Sequence, residues 1–181
     1  MSIFFLIISI LFWVASIVAL PRRSFYAPAL SYLGLLCISF CQTDGLPWLP
    51  VNSRMLYSWL SITLVVMIAT VLQPAAVRNS AKGMAYMIVG SFVGLAVGLL
   101  GYTFTSNESM LYSIMAVAVI VGIFFGYILF SRTPSGRADV PGSGRFFSYL
   151  LAKGFPTAVT VIQIGLIFVL LILQHIVNLE N

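Results

Sequence analysis

A chain of 181 residues that is 61% hydrophobic and only 7% charged cannot build a water-facing surface, since an ordinary soluble domain is about a quarter charged. The net charge of +5 excludes an acidic surface, and in so apolar a chain it points to lipid rather than to nucleic acid. Two cysteines and a single histidine leave little material for a redox or metal centre.

The apolar runs are continuous for roughly 17–22 residues, the length that carries a helix across a ~30 Å hydrocarbon core. Barrel strands would instead alternate over ~10 residues. The reading is therefore an all-α polytopic membrane protein. It forms one transmembrane domain over 1–181, a bundle of six transmembrane helices with a short interfacial helix before the sixth.

The first span, 3–20, is closed by Pro21, Arg22 and Arg23. A secretory signal places its positive residues before the apolar run, so the order here favours a retained helix. The second span, 25–41, carries Cys37 and Cys41 one helical turn apart, which reads as two small apolar side chains rather than a redox pair. It ends at a Thr43-Asp44-Gly45 turn in the loop CQTDGLPWLPVNSRM, where Trp48 suits the membrane interface. Asp44 and Arg54 can pair across that loop, a contact contributing at most about 1 kcal/mol when exposed. The third span, 55–72, is closed by Gln73 and Pro74.

The fourth span, 83–104, contains VGSFVGLAVGLLGYTF. At about 100° per residue, Gly83, Gly90, Gly94, Gly98 and Gly101 fall on one stripe. The fifth span, 110–130, repeats the pattern with Ala118, Gly122 and Gly126 at four-residue spacing. Small residues at this spacing let two backbones approach closely. The short connection at 105–109 makes the two helices antiparallel neighbours. Two partners fit the first stripe: the fifth helix of the same chain, or another copy. A wet pore needs polar neighbours on that face, and only Ser91 is one.

The segment SRTPSGRADVPGSGR resists regular structure through its Gly, Pro and Ser content. The region 131–155 reads as a cytoplasmic, lipid-facing basic loop carrying Arg132, Arg137, Arg145 and Lys153, followed by an interfacial segment. The sixth span, 156–177, starts either at Pro156, after a break at Gly154, or further back as one kinked helix from Arg145. Thr157, Thr160 and Gln163 share one side of it and outline a polar groove or a set of hydrogen bonds to a neighbouring helix.

Eight of the nine basic residues then lie on one side, leaving only Arg54 on the other. By the positive-inside rule that side is cytoplasmic, and both termini lie outside. Asp44, Arg54, Glu108 and His175 form an outer-face polar group with too few ligands of the right type for a metal. No Asp, Glu, Lys or Arg falls in the middle of a span, which weighs against ion-coupled transport. No catalytic residues, cofactor or metal site are expected, and the chain reads as no enzyme.

The expected partners are the bilayer, with anionic lipid on the cytoplasmic side, and other membrane subunits or further copies, with no nucleic acid. The function expected is that of a subunit or assembly partner of a complex in a bacterial-type inner membrane. Its glycine-lined helix-packing faces would make the contact. A small oligomeric transporter or channel is the alternative, and a lipid-modifying enzyme a remote one.

Overall fold

Apolar continuity makes helices of nearly the whole chain. In the computed structural model, which describes residues 2–43, 46–47, 51–78, 80–103, 107–139 and 143–180, nine α-helices follow in order. They are α1 (Ser2–Arg23), α2 (Ala27–Ser39), α3 (Ser53–Val71), α4 (Ala75–Arg78), α5 (Met84–Leu99), α6 (Glu108–Arg132), α7 (Pro134–Asp139), α8 (Ser143–Tyr149) and α9 (Phe155–Glu180). A 3-10 turn, Leu100–Thr103, prolongs α5, and a π-helical turn, Leu150–Gly154, joins α8 to α9. Between α2 and α3 the backbone pairs Gln42 with Pro47 and Thr43 with Leu46.

The ends follow local chemistry. Asn52 caps α3 by accepting from the Arg54 N–H at 3.1 Å, and Asn107 caps α6 by accepting from the Ser109 N–H at 3.0 Å. Gly83 precedes α5 with φ at 74°, a conformation that costs L side chains free energy. A side chain there would also strike the Tyr149 hydroxyl and the ring of Phe130, two residues whose rings stack at 5.9 Å between centroids.

Helix α9 is the pillar. Its apolar window is 78% buried, against 17–28% in the other three long helices, and α1, α2, α3, α5 and α6 all pack on it. The main core joins Met87 and Leu95 of α5, Leu111, Met115 and Val119 of α6, and Val161, Leu166 and Val169 of α9. A second cluster sets Leu35 and Ile38 of α2 against Ile167 and Leu170 of α9.

Three features differ from the sequence reading. Among the described residues four helices are long and apolar enough to cross a membrane by length and composition, and the second and fourth expected spans are shorter apolar helices, Ala27–Ser39 and Met84–Leu99. Helix α2 has 13 residues, a rise of about 20 Å. Seven of them are buried in protein, so lipid thickness does not set its length. Helix α5 has 16 and gains about 8 Å from its 3-10 turn.

Second, α1 does not stop before Pro21 but runs through it to Arg23. Pro21 forfeits the bond to the Ile17 carbonyl and crowds it with its ring, but it lies in the last turn, where only Arg22 and Arg23 follow. Third, of the two starts open to the last span the structure has the longer, and among the described residues no separate interfacial helix precedes it. Helix α8 passes through the π turn into α9, because the wider turn accommodates Pro156 without breaking the helix.

Candidate functional site

The α5–α6 seam is backbone against backbone. A Cβ placed on Gly90 would run into the carbonyl oxygen of Gly122, and one on Gly122 into that of Gly90. One on Gly94 would meet the carbonyl of Ala118, and one on Gly126 that of Tyr86. At Gly98 the obstacle is the Met115 Cα, 2.7 Å away. Such proximity is where Cα–H···O contacts form. The stripe therefore faces α6 of the same chain. Gly101 lies in the 3-10 turn, where its neighbours are side-chain atoms of Ile114 and Leu111 at 3.0 and 3.5 Å.

Because the two backbones meet so closely, the side chains flanking the seam stand above it as walls. The result is an outward-facing groove of about 1070 Å³, floored by Gly90, Gly94, Ala118, Gly122 and Gly126. Val89, Val93 and Val97 form one wall, and Val117, Val121 and Phe125 the other. Val93 is 58% exposed and Val121 45%. Both walls repeat every four residues, the period of the ridges on a helix surface.

Thr157, Thr160 and Gln163 of α9 line no open groove, because each is fully buried. Gln163 bridges two other helices. Its Oε1 accepts from the Ser31 hydroxyl of α2, and its Nε2 donates to Thr63 Oγ1 of α3 at 2.8 Å. Thr63 in turn donates to the Trp59 carbonyl at 2.7 Å. Thr157 donates to the carbonyl of Lys153 at 2.7 Å, within its own helix. The Thr160 hydroxyl is buried with no hydrogen-bond partner among the described residues.

Pro156 has no N–H for either carbonyl it would normally engage, that of Ala152 in an α-helix or of Leu151 in a π turn. Distant hydroxyls take both. Ser24, between α1 and α2, donates to the Ala152 carbonyl at 2.9 Å, and Thr70, near the end of α3, to that of Leu151 at 3.4 Å. The π turn thereby ties the last helix to the α1–α2 turn and to α3.

Lys153 requires a correction. It does not face lipid but is 1% exposed, with its Nζ 5.2 Å from the centre of the Tyr149 ring. The helix continues through the π turn and carries this residue inward. Tyr149 donates to the Lys82 carbonyl at 2.5 Å, so the start of α5 is fixed at the same place. Arg132 and Arg137 are exposed.

Of the outer-end group, Arg54 is exposed at the start of α3. Asp44 and the side chains of Glu108, His175 and Arg145 lie outside the described residues. Among the described residues no three His, Cys, Asp or Glu side chains gather as a metal ion would require.

The signals missed in the sequence were serines and threonines. Ser31, Thr63, Ser24 and Thr70 are isolated small polar residues in apolar helices or turns. Only the position of Pro156 hints that partners are needed for its freed carbonyls.

Comparison with protein-family models, with curated proteins and with solved structures finds no match to the chain. Its class rests on its own physics: the described residues are almost entirely helical, with four helices long and apolar enough to cross a membrane.

Proposed function

We propose that the protein is an integral inner-membrane subunit or assembly partner that receives a transmembrane helix of a partner subunit in the α5–α6 groove. The observation carrying this is the groove itself: a small-residue floor between two walls of valines at helical period. A partner's ridge seats between such rows, whereas fluid acyl chains need no regular spacing. The glycines contribute indirectly. They are consumed in the seam within the chain, and the closeness they allow makes the groove. The hydrogen-bonded set around Gln163 favours contact over passage, since its polar atoms are engaged across the bundle.

The same reading has six crossings, the basic end in the cytoplasm and both termini outside. In support of α2 as a crossing, Phe40 beyond its end packs on Phe5 near the start of α1, with centroids 6.1 Å apart. The short helix thus returns along the long one. Shielding by α1 and α9 also reduces the cost of its mismatch with lipid.

Placing an indole in the groove tests this. Val93→Trp, at an exposed position, is expected to leave the fold intact and to reduce a stoichiometric partner in mild-detergent purification by about tenfold. Leu64→Trp, on the exposed face of α3, is expected to leave it unchanged. A partner retained equally by both variants, or no partner with the unaltered chain, would refute the reading.

One observation favours a second reading as a small-solute transporter. The central helix carries a π turn, a proline and a buried hydroxyl without a partner, the features of a helix that can rearrange. Flux through proteoliposomes of the purified protein, abolished by Gln163→Leu, would establish that reading and displace the first.

A further inference from the structure

At the basic end of the bundle, a cavity of about 350 Å³ opens between the α1–α2 turn and the end of α3. Arg23, Ser24, Phe25, Tyr26, Val71 and Arg78 line it. We infer that this cavity binds a phosphate group, carried by an anionic lipid headgroup or by free phosphate.

The lining draws on two arginines from elements far apart in the chain, the last residue of α1 and the last residue of α4. Among the described residues no acidic side chain lines the cavity to neutralise them. The Arg78 Nη1 donates to the Val71 carbonyl at 3.1 Å, which fixes the guanidinium over the end of α3 and leaves its remaining N–H groups for a ligand. Ser24 is buried and fixes the turn to α9 through the Ala152 carbonyl, so the opposite wall is held as well.

Helix α2 begins at this turn. The carbonyl ends of α1 and α3, at Arg23 and Val71, meet at the same cavity, so the helix ends supply no net positive field and the attraction for an anion comes from the two arginines. Two arginines, each a planar fork of N–H donors, suit the several oxygens of a phosphate better than the two of a carboxylate.

The setting is also amphiphilic. Phe25 and Val71 form the apolar part of the lining, and the neighbouring Leu72 is 76% exposed. A phosphate bearing acyl chains could leave its head between the arginines and lay its chains on the outer surface. A volume of this size lies near the lower end of the range for small-molecule sites, about 300–1,000 Å³.

Of the two sources, only the lipid depends on the membrane placement proposed above. The readout needs no protein partner, so failure here is separable from failure of the groove. Protein is reconstituted into phosphatidylcholine nanodiscs with a minor share of phosphatidylglycerol, and the lipid retained is counted by native mass spectrometry after extraction. Retention is expected with the unaltered chain and is expected to fall about tenfold or more in R23Q/R78Q. R132Q/R137Q, which removes the same charge from exposed positions outside the cavity, should retain lipid normally.

In a second arm, inorganic phosphate is added to protein in phosphatidylcholine alone. A rise in melting temperature that R23Q/R78Q lacks assigns the site to free phosphate. No rise, with selective phosphatidylglycerol retention, assigns it to lipid. Should the double variant misfold, R23Q alone, at an exposed side chain, carries the test with a smaller loss in the same direction. Equal loss from R132Q/R137Q, or no effect of the Arg23 and Arg78 substitutions in either arm, overturns the site.

Discussion

Gly122→Leu is expected to splay α5 from α6 and to lower stability by about 3 kcal/mol or more, at the upper end of overpacking effects. The obstacle is the carbonyl oxygen of Gly90, which belongs to a helix backbone and cannot swing aside as a side chain does. The two helices would have to separate, which also empties the contacts at Gly94 and Gly126 and distorts the groove above them. Gly165→Ala is the control. A Cβ there meets the Leu95 Cδ1 and the Met115 Sδ, the ends of flexible side chains. Its cost is expected to stay under about 1 kcal/mol, since methionine in particular adapts to changed shape. Equilibrium unfolding in mixed micelles checks both; similar midpoints for the two variants would show that the seam is not a backbone contact.

Ser24→Ala is expected to cost about 1–3 kcal/mol, the range for leaving a buried polar group without its partner. The stranded group is the Ala152 carbonyl, which Pro156 cannot serve. Thr70→Val should cost less, because its hydroxyl sits 3.4 Å from the Leu151 carbonyl and keeps a shorter bond, 2.7 Å, to that of Val66 when intact. The diagnostic experiment is a double-mutant cycle with Pro156→Ala. Alanine restores an N–H at position 156 and returns the freed carbonyl to its own helix. In that background Ser24→Ala should lose most of its effect, a coupling of about 1 kcal/mol or more. Strictly additive unfolding free energies would show that the hydroxyl does not substitute for the missing N–H.

The parts of the molecule legible in the sequence are those that depend on local period. Gly90, Gly94, Ala118, Gly122 and Gly126 announce close approach because helical spacing places them on one face, and a short connection brings the two helices side by side. The long apolar runs predict six spans for the same reason, and among the described residues four of the helices reach membrane length.

What escaped the sequence depends on contacts between distant residues. Lys153 reads as a loop cation until a π turn carries it inward beside Tyr149. A single residue added to one turn rotates everything beyond it by about 100°. The Ser24 hydroxyl meets the Ala152 carbonyl across 128 positions of chain, and no periodicity links them. Nor does hydropathy distinguish α9, the buried pillar, from α1, which is even more apolar and mostly faces outward. The cavity at Arg23 and Arg78 belongs to the same class: topology counts both as positive-inside charges, and only the folded turn brings them together.

The central claim is that the α5–α6 face holds a partner helix. It is tested most directly by photo-crosslinking in intact membranes, with a benzophenone side chain at Val93 or Val121 in the groove and at Ile7 or Leu64 on other exposed faces. The groove positions are expected to give one protein adduct of defined mass, and Ile7 and Leu64 lipid adducts only. Lipid adducts alone from Val93 and Val121 would contradict a partner helix in the groove.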